Sequence, residues 1–274
     1  MGRFQRSIEL AKASWATLKA DRELLWLPVL SFLVAGALIL VTAGLVFLID
    51  YDSATGLDEF SLTPASIVVL VVAGITLSIS ATYFQAAMVG GARERLTGGD
   101  PTVASALATA SGRLAVVAAW GLFAWTVGAV LRAVEDRLGP LSAVVANIAG
   151  MAFRVVTFLA VPVLVVEGLG PIDTLKRCGT LFRQTWGENL AGQVGLGLLS
   201  FVALLPALLV GGAIGAATHP IAGIIIAAPW VALVLVATTS LTAIYQTALY
   251  QYVTTGAVPV GFEGADLPSA FRPR

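Results

Sequence analysis

Long uncharged apolar stretches dominate the pattern of hydrophobic and polar positions along this chain. Between Glu188 and Glu263, 74 consecutive residues include no Asp, Glu, Lys or Arg. Two membrane-spanning helices joined by a short turn need such a run, whereas a soluble core helix does not. Residues 24–49, 60–92 and 114–131 are also free of charge. The pattern therefore predicts an all-α, polytopic membrane protein.

Six transmembrane helices are predicted from these runs. Each is long enough, at about 1.5 Å per residue, to cross a hydrocarbon core roughly 30 Å thick. Composition agrees, because 58% of the residues are hydrophobic and only 12% are charged, against roughly 25% charged in soluble domains. The predicted spans are 24–49, 64–90, 114–131, 141–166, 190–213 and 221–248.

Three amphipathic segments alternate with pairs of spans. The first has an apolar stripe that includes Ile8 and Trp15, and the other two follow Pro101 and Pro171. Their spacing is typical of helices that lie at the membrane surface. Together they predict three cytoplasmic interfacial helices and a threefold repeat of amphipathic helix plus hairpin. The predicted layout is one domain over 1–250, with possible repeats at 1–91, 100–168 and 170–250, and a flexible cytoplasmic tail over 251–274.

One short similarity supports the repeat at the level of residues. Phe84-Gln85-Ala86-Ala87, near the end of span 2, resembles Tyr245-Gln246-Thr247-Ala248, near the end of span 6. Apolar helices also resemble one another by chance, so common ancestry of the repeats stays open beside the architectural pattern.

The distribution of basic residues predicts the orientation. Thirteen Lys and Arg residues fall on one side of the predicted spans and only Arg132 and Arg137 on the other. The positive-inside rule therefore places both termini in the cytoplasm. The first apolar run, at 26 residues, is too long for a signal peptide, so we expect no cleavage. Three lysines beside thirteen arginines, with abundant Ala, Gly and Val, indicate a GC-rich prokaryotic genome and hence the inner membrane.

Four strings carry a resemblance to a known family. They are 6–15 (RSIELAKASW), 21–25 (DRELL), 161–168 (VPVLVVEG) and 183–190 (RQTWGENL). Through them the chain resembles, over most of residues 1–250, an uncharacterised prokaryotic six-span membrane family catalogued as a domain of unknown function. In architecture it is also similar to the membrane domain of some bacterial glycerophosphodiester phosphodiesterases. The catalytic barrel of those enzymes is absent from this sequence, so the resemblance implies no chemistry.

Residues that could perform catalysis are sparse in the spans. His219, the one histidine, sits in a predicted external turn, and Cys178, the one cysteine, lies on the apolar side of an amphipathic helix, where it is expected to pack. No phosphate loop, HExxH or GxSxG motif occurs. We therefore predict a protein that is not an enzyme and has no cofactor, catalytic residue or metal site.

Arg154 is the most costly residue of the predicted spans, because it lies near the middle of span 4. Placing an arginine there costs on the order of 3 kcal/mol. No acidic residue lies deep in a span, which leaves neutral partners only. One interpretation is an anion or lipid-headgroup site in a wet central cavity. The other is an arginine hydrogen-bonded within the bundle, or a misplaced span boundary. The candidate site comprises Arg154, Asn147, Gln85, Gln193 and Gln246.

Charged residues also flank the third amphipathic segment. Glu167 and Glu188 stand at the ends of spans 4 and 5, with Arg183 nearby in sequence. Interfacial ion pairs that dock this segment on the bundle are the favoured interpretation, and a proton or cation path is the alternative.

Two functions follow from these residues. The first is a small-solute or anion permeation protein with a central site near Arg154. The second is a membrane organiser or partner-binding scaffold that uses its basic interfacial helices. A lipid-processing enzyme would need polar residues converging at one depth, and the sequence indicates no such set. The expected partners are membrane lipids and a small anion or anionic headgroup, not nucleic acid, while a homo-oligomer or a protein partner stays open.

Overall fold

The computed structural model describes residues 14–15, 22–50, 62–137 and 140–262, without the side chains of 22, 136–143 and 184–196. All regular structure in these ranges is helical. The α-helices described are α1 (Trp26–Asp50), α2 (Pro64–Leu96), α3 (Val103–Ser111), α4 (Leu114–Arg137), α5 (Pro140–Val156), α6 (Ala160–Glu167), α7 (Pro171–Ala217) and α8 (Pro220–Thr255).

Six helical segments are long and apolar enough to cross a membrane, which confirms the predicted fold class. Four helices begin with a proline, whose fixed φ and missing N–H suit the first helical turn. The side chain of Thr63 caps α2, and Thr102 and Ser105 form a reciprocal capping box at α3. The spans are Glu23–Asp50, Pro64–Leu96, Leu114–Glu135, Val144–Glu167, Gly197–Ala217 and Pro220–Thr255.

The three predicted amphipathic segments have different outcomes. The second is the separate helix α3. The third is continuous with span 5, since α7 runs for 47 residues from Pro171 to Ala217. No proline interrupts residues 184–196, so nothing in the backbone stops the helix there. At about 1.5 Å per residue α7 is roughly 70 Å long and extends well beyond a membrane core. The first segment lies outside the described residues except for 14–15.

Span 4 is a broken helix. α5 ends at Val156, a 3₁₀ turn covers Thr157–Leu159, and α6 begins at Ala160. Pro162 explains the break, because it has no N–H to donate to the carbonyl of Phe158 and its ring crowds the preceding turn. The break lies between α2, α7 and α8, beside the cavity described below.

The buried core lies at the end of the bundle that carries Arg93, Arg113 and Arg177, which we call the basic end. α2, α4, α6, α8 and the first turns of α1 and α7 all contribute to it. The beginning of the predicted tail joins this core, since Phe262 is fully buried and the N–H of Val260 donates to the carbonyl of Leu96 (3.3 Å). Of the predicted tail, residues up to Thr255 thus continue α8 and the segment to Phe262 contacts the core, while residues 263–274 lie outside the described ranges.

Away from the basic end, the contacts run between neighbouring spans: α7 with α8, α1 with α2, and α2 with α4. α7 and α8 approach closely at three glycines: a Cβ on Gly223 would lie 2.9 Å from Cα of Gly215 and would also collide with the carbonyl oxygen of Gly211. Small residues permit such contact between membrane helices. At the α1–α2 turn, Oδ1 of Asp50 accepts hydrogen bonds from the hydroxyls of Thr63 (2.6 Å) and Ser66 (2.5 Å).

Candidate functional site

A cavity of about 370 Å³ lies between spans 2, 4, 5 and 6. Its volume falls at the small end of the range for ligand sites in proteins. Four separate helical segments contribute to its wall, so the site exists only in the assembled bundle. The lining residues are Gln85 and Met88 from α2, Phe158 from the 3₁₀ turn, Gly197 and Ser200 from α7, and Thr238, Thr239, Thr242, Ala243 and Gln246 from α8.

The threonines of α8 present oxygen lone pairs to this cavity. The hydroxyl of Thr239 donates to the carbonyl of Leu235 (2.7 Å), and that of Thr242 donates to the carbonyl of Thr238 (2.7 Å). Thr238 similarly donates to Val234 (2.8 Å). Because each hydroxyl hydrogen is held by the preceding helical turn, the oxygens retain acceptor capacity for a ligand.

Gln85 and Gln246 differ from the threonines in the hydrogen bonding of their side chains. Gln85 is exposed and Gln246 is half-buried. Among the residues whose side chains the structure describes, neither amide has a hydrogen-bond partner. Each amide supplies two N–H donors and one carbonyl acceptor. The cavity therefore offers donors from two helices and acceptors mainly from α8.

The structure brings together only part of the predicted site. Gln85 and Gln246 line the same cavity, whereas Arg154 and Asn147 do not. Gln193 precedes Gly197 by one turn of α7, and its side chain lies outside the described set. The lining residues whose side chains are described are polar or apolar but uncharged.

Arg154 and Asn147 lie on the exposed side of α5. The expected burial of Arg154 in the bundle is therefore not found. The reason is packing: α5 is held by α4 and α7, with Phe153 against Phe123 at 6.3 Å between ring centroids, and Arg154 is next to Phe153 on the helix. Anion binding at Arg154 stays a prediction, separate from the cavity.

A second polar group, which we call the Glu167 cluster, joins three helices at the basic end. It consists of Glu167 at the end of α6, Arg177 in α7 and Tyr250 in α8. Nε of Arg177 donates to both carboxylate oxygens of Glu167 (2.9 and 3.1 Å), and the hydroxyl of Tyr250 donates to Oε1 (2.8 Å). Charge-assisted bonds of this kind are stronger than neutral ones.

The predicted ion pairs differ from the observed one in the partner of Glu167. Glu167 pairs with Arg177 rather than with Arg183, which is exposed, and the side chain of Glu188 is not described. Gly168, with φ of 66°, caps α6 in the left-handed conformation and lets the chain reverse, so that Glu167 meets Arg177 on the next helix. Arg177 and Tyr250 were not predicted as partners of Glu167. The one signal in the sequence is that this glutamate directly precedes a Gly-Leu-Gly-Pro string.

Cys178 and His219 have structural positions, as predicted. Cys178 is buried in the core, and burial raises the pKa of its thiol to about 12. His219 is the N-cap of α8, where Nδ1 accepts from the N–H of Ile221 (3.3 Å). Neither residue lines the cavity.

Comparison with known proteins places the chain in a family. The model of a family of unknown function (DUF6159) matches residues 64–261, more than two thirds of the chain. No curated protein sequence matches.

Proposed function

The chain belongs to this family of unknown function, and we propose that it is a membrane permeation protein that binds a small polar solute in the cavity between spans 2, 4, 5 and 6. The observation that supports the proposal is the position of that cavity. Two amides that have no partner among the described side chains meet threonine hydroxyl oxygens beside the broken helix of span 4. Discontinuous helices beside a polar cavity are a recurrent arrangement in transporters.

Packing around the cavity supports a direction of access. Toward the basic end, the next residues on three of the helices around the cavity are buried: Val89 on α2, Val163 on α6 and Leu249 on α8. Toward the opposite end, Ala81 is exposed and Ala237 is half-buried. We propose that a solute enters from the opposite end and that the core must part before it leaves at the basic end.

Arg154 takes no part in this proposal. The sequence suggested a central site around it, but its exposed position on α5 separates it from Gln85 and Gln246. The proposed site is therefore centred on the two glutamines.

Permeation is tested by filling the cavity at Gly197. A Cβ at Gly197 meets nothing within 4 Å, so Gly197→Leu places a side chain in open space without a clash. Gly212 on the same helix is equally open but does not line the cavity, which makes Gly212→Leu the matched control. In proteoliposomes, light scattering after a solute jump should show at least a tenfold slower glycerol uptake for Gly197→Leu and no change for Gly212→Leu. Equal rates for both variants and the wild type would refute the proposal.

The membrane and its sidedness are part of the proposal. We propose a multi-pass protein of a prokaryotic inner membrane, with the basic end and both termini in the cytoplasm, on the basis of the Lys and Arg asymmetry. Ala217 and Ala257, at opposite ends, are both exposed. In a Cys178→Ser background, an impermeant maleimide added outside intact cells or spheroplasts should label Ala217→Cys and not Ala257→Cys. The reverse pattern would invert the orientation.

A membrane organiser is the second candidate, favoured by the exposed Arg154. An arginine facing lipid at mid-span is costly, and a second copy or a lipid headgroup would lower that cost. If self-association covers it, native mass spectrometry should show an oligomer that Arg154→Leu disrupts and Arg132→Leu does not. An unchanged oligomeric state in both variants argues against this role for Arg154.

We further propose that the protein is not an enzyme. The resemblance to phosphodiesterase membrane domains that we expect from the sequence would be compatible with this, because it implies a membrane domain and no chemistry.

A further inference from the structure

We infer that the solute is an uncharged molecule that both donates and accepts hydrogen bonds, and that Gln85 and Gln246 determine this selectivity. The inference rests on the proposed permeation function and specifies its substrate class. The first step is the charge of the site. Among the side chains that the structure describes, none of the ten that line the cavity is ionisable. An ion that left water for this cavity would lose hydration without gaining a countercharge, which is strongly unfavourable.

The second step is the balance of donors and acceptors. The amides of Gln85 and Gln246 together provide four N–H donors and two carbonyl acceptors. The hydroxyl hydrogens of Thr239 and Thr242 are already donated to carbonyls of α8, so these oxygens act as acceptors. An anion only accepts hydrogen bonds and would face threonine oxygens that repel it. A metal cation needs oxygen lone pairs as ligands and would also face amide N–H groups, which repel it. A hydroxyl or amide solute satisfies both sets.

The third step is the cost of leaving the amides unpaired. Primary amides that lack a protein partner need water or a polar ligand to replace hydration. The two glutamines come from α2 and α8, so one small solute that contacts both would join these helices beside Phe158. Two residues on separate helices that bind the same molecule select for solutes that match both in hydrogen bonding. We therefore propose that Gln85 and Gln246 determine the selectivity.

The experiment compares neutral and anionic probes in the same proteoliposomes. Glycerol and urea represent uncharged solutes, and acetate and chloride represent anions, with protein-free vesicles as the baseline. Gln85→Leu and Gln246→Leu, alone and together, test the amides. Thr76→Val is the matched control, because Thr76 is an exposed residue of α2, outside the cavity, whose hydroxyl donates to its own helix. Circular dichroism and the elution volume in detergent establish that each variant is folded.

We expect the wild type to pass glycerol and urea and to exclude acetate and chloride, and the double variant to lose at least tenfold in neutral-solute uptake. Thr76→Val should match the wild type. If acetate or chloride passes, and Gly197→Leu blocks it while the glutamine variants do not, the substrate class is wrong but permeation through the cavity stands. If no probe passes above the vesicle baseline, permeation itself fails.

Discussion

At the basic end, residues from α2, α4, α6, α7 and α8 form one buried core, whereas toward the opposite end the contacts run between neighbouring helices: α7 with α8, α1 with α2, and α2 with α4. The basic end is further joined by the Glu167 cluster, which connects three helices through charge-assisted bonds. The opposite end relies on local contacts, such as Asp50 with Thr63 and the glycines of α7 and α8.

This difference explains where the cavity lies. Gln85, Thr239 and Gln246 stand at the boundary between the two regions, where the common core ends and the helices separate. A membrane protein that is tightly packed at one end and open at the other can admit a solute without exposing a continuous path. In the proposed permeation function, the closed core is the barrier and the cavity is the part of the path that a solute can reach.

The largest effect is expected where helices of the opposite end approach most closely. Gly223→Val places its side chain against backbone atoms of Gly211 and Gly215. Since a backbone cannot move aside as a side chain can, we expect a loss of about 3 kcal/mol in unfolding free energy. Gly44→Val is the control, because a Cβ there meets nothing within 4 Å. Unfolding in a denaturing-detergent titration measures both, and equal stability of the two variants would show that pairwise packing does not hold this end.

A smaller effect is expected at the Glu167 cluster. Glu167→Gln removes the charge that Arg177 and Tyr250 share, and because the side chain of Arg177 is 38% exposed, solvent limits the loss to about 1 kcal/mol. Asp173→Asn, in the Lys176–Asp173 pair whose side chains are 73% and 65% exposed, should change stability by less than about 0.5 kcal/mol. Thermal unfolding in detergent measures both. If Asp173→Asn lowers stability as much as Glu167→Gln does, the Glu167 cluster stabilises the basic end no more than an exposed ion pair does.

The smallest effect is the pH dependence of the unfolding free energy that arises from Cys178 in the core. Burial raises the pKa of its thiol from an ordinary value of 9.0 to about 12. The unfolded chain therefore releases this proton first, so the thiol's contribution to stability is complete below pH 9 and is lost as pH rises toward 12. At pH 9 the loss is about 0.5 kcal/mol. Wild type should lose that much more stability than Cys178→Ser between pH 7 and pH 9.

Thiol labelling gives an independent reading of the same burial. Only the thiolate reacts, so the folded protein should resist a thiol reagent at pH 8 and react after unfolding. Rapid labelling of the folded protein would contradict a closed basic end.

The spans could be predicted because hydropathy and proline positions are local properties of the sequence. Pro64, Pro171 and Pro220 begin helices, and the break in span 4 lies just before Pro162. The continuity of α7 was not predicted, since amphipathic and apolar patterns change at residue 190 while the backbone has no reason to stop.

The candidate site was predicted only in part, because polarity does not reveal which side of a helix packs inward. Gln85 and Gln246 stood out as polar residues in similar apolar strings, and both line the cavity. Arg154 stood out for the same reason and faces outward, because α5 packs through other residues. The pairing of Glu167 with Arg177 depends on the left-handed conformation of Gly168, which turns the chain back so that the two helices meet. The spacing of residues along the sequence does not show this contact.

The central claim is that a wet cavity ends at a closed core, and cysteine accessibility along α8 tests it most directly. Three sites on that helix are substituted in a Cys178→Ser background: Thr239→Cys in the cavity, Leu249→Cys in the core, and Leu235→Cys, where the native side chain is 40% exposed and does not line the cavity. A small water-soluble maleimide should label Thr239→Cys at least tenfold faster than the other two, because a lipid-facing or buried thiol rarely ionises. Equal labelling of Thr239→Cys and Leu235→Cys would mean that the cavity holds no water, and rapid labelling of Leu249→Cys would mean that the basic end is open.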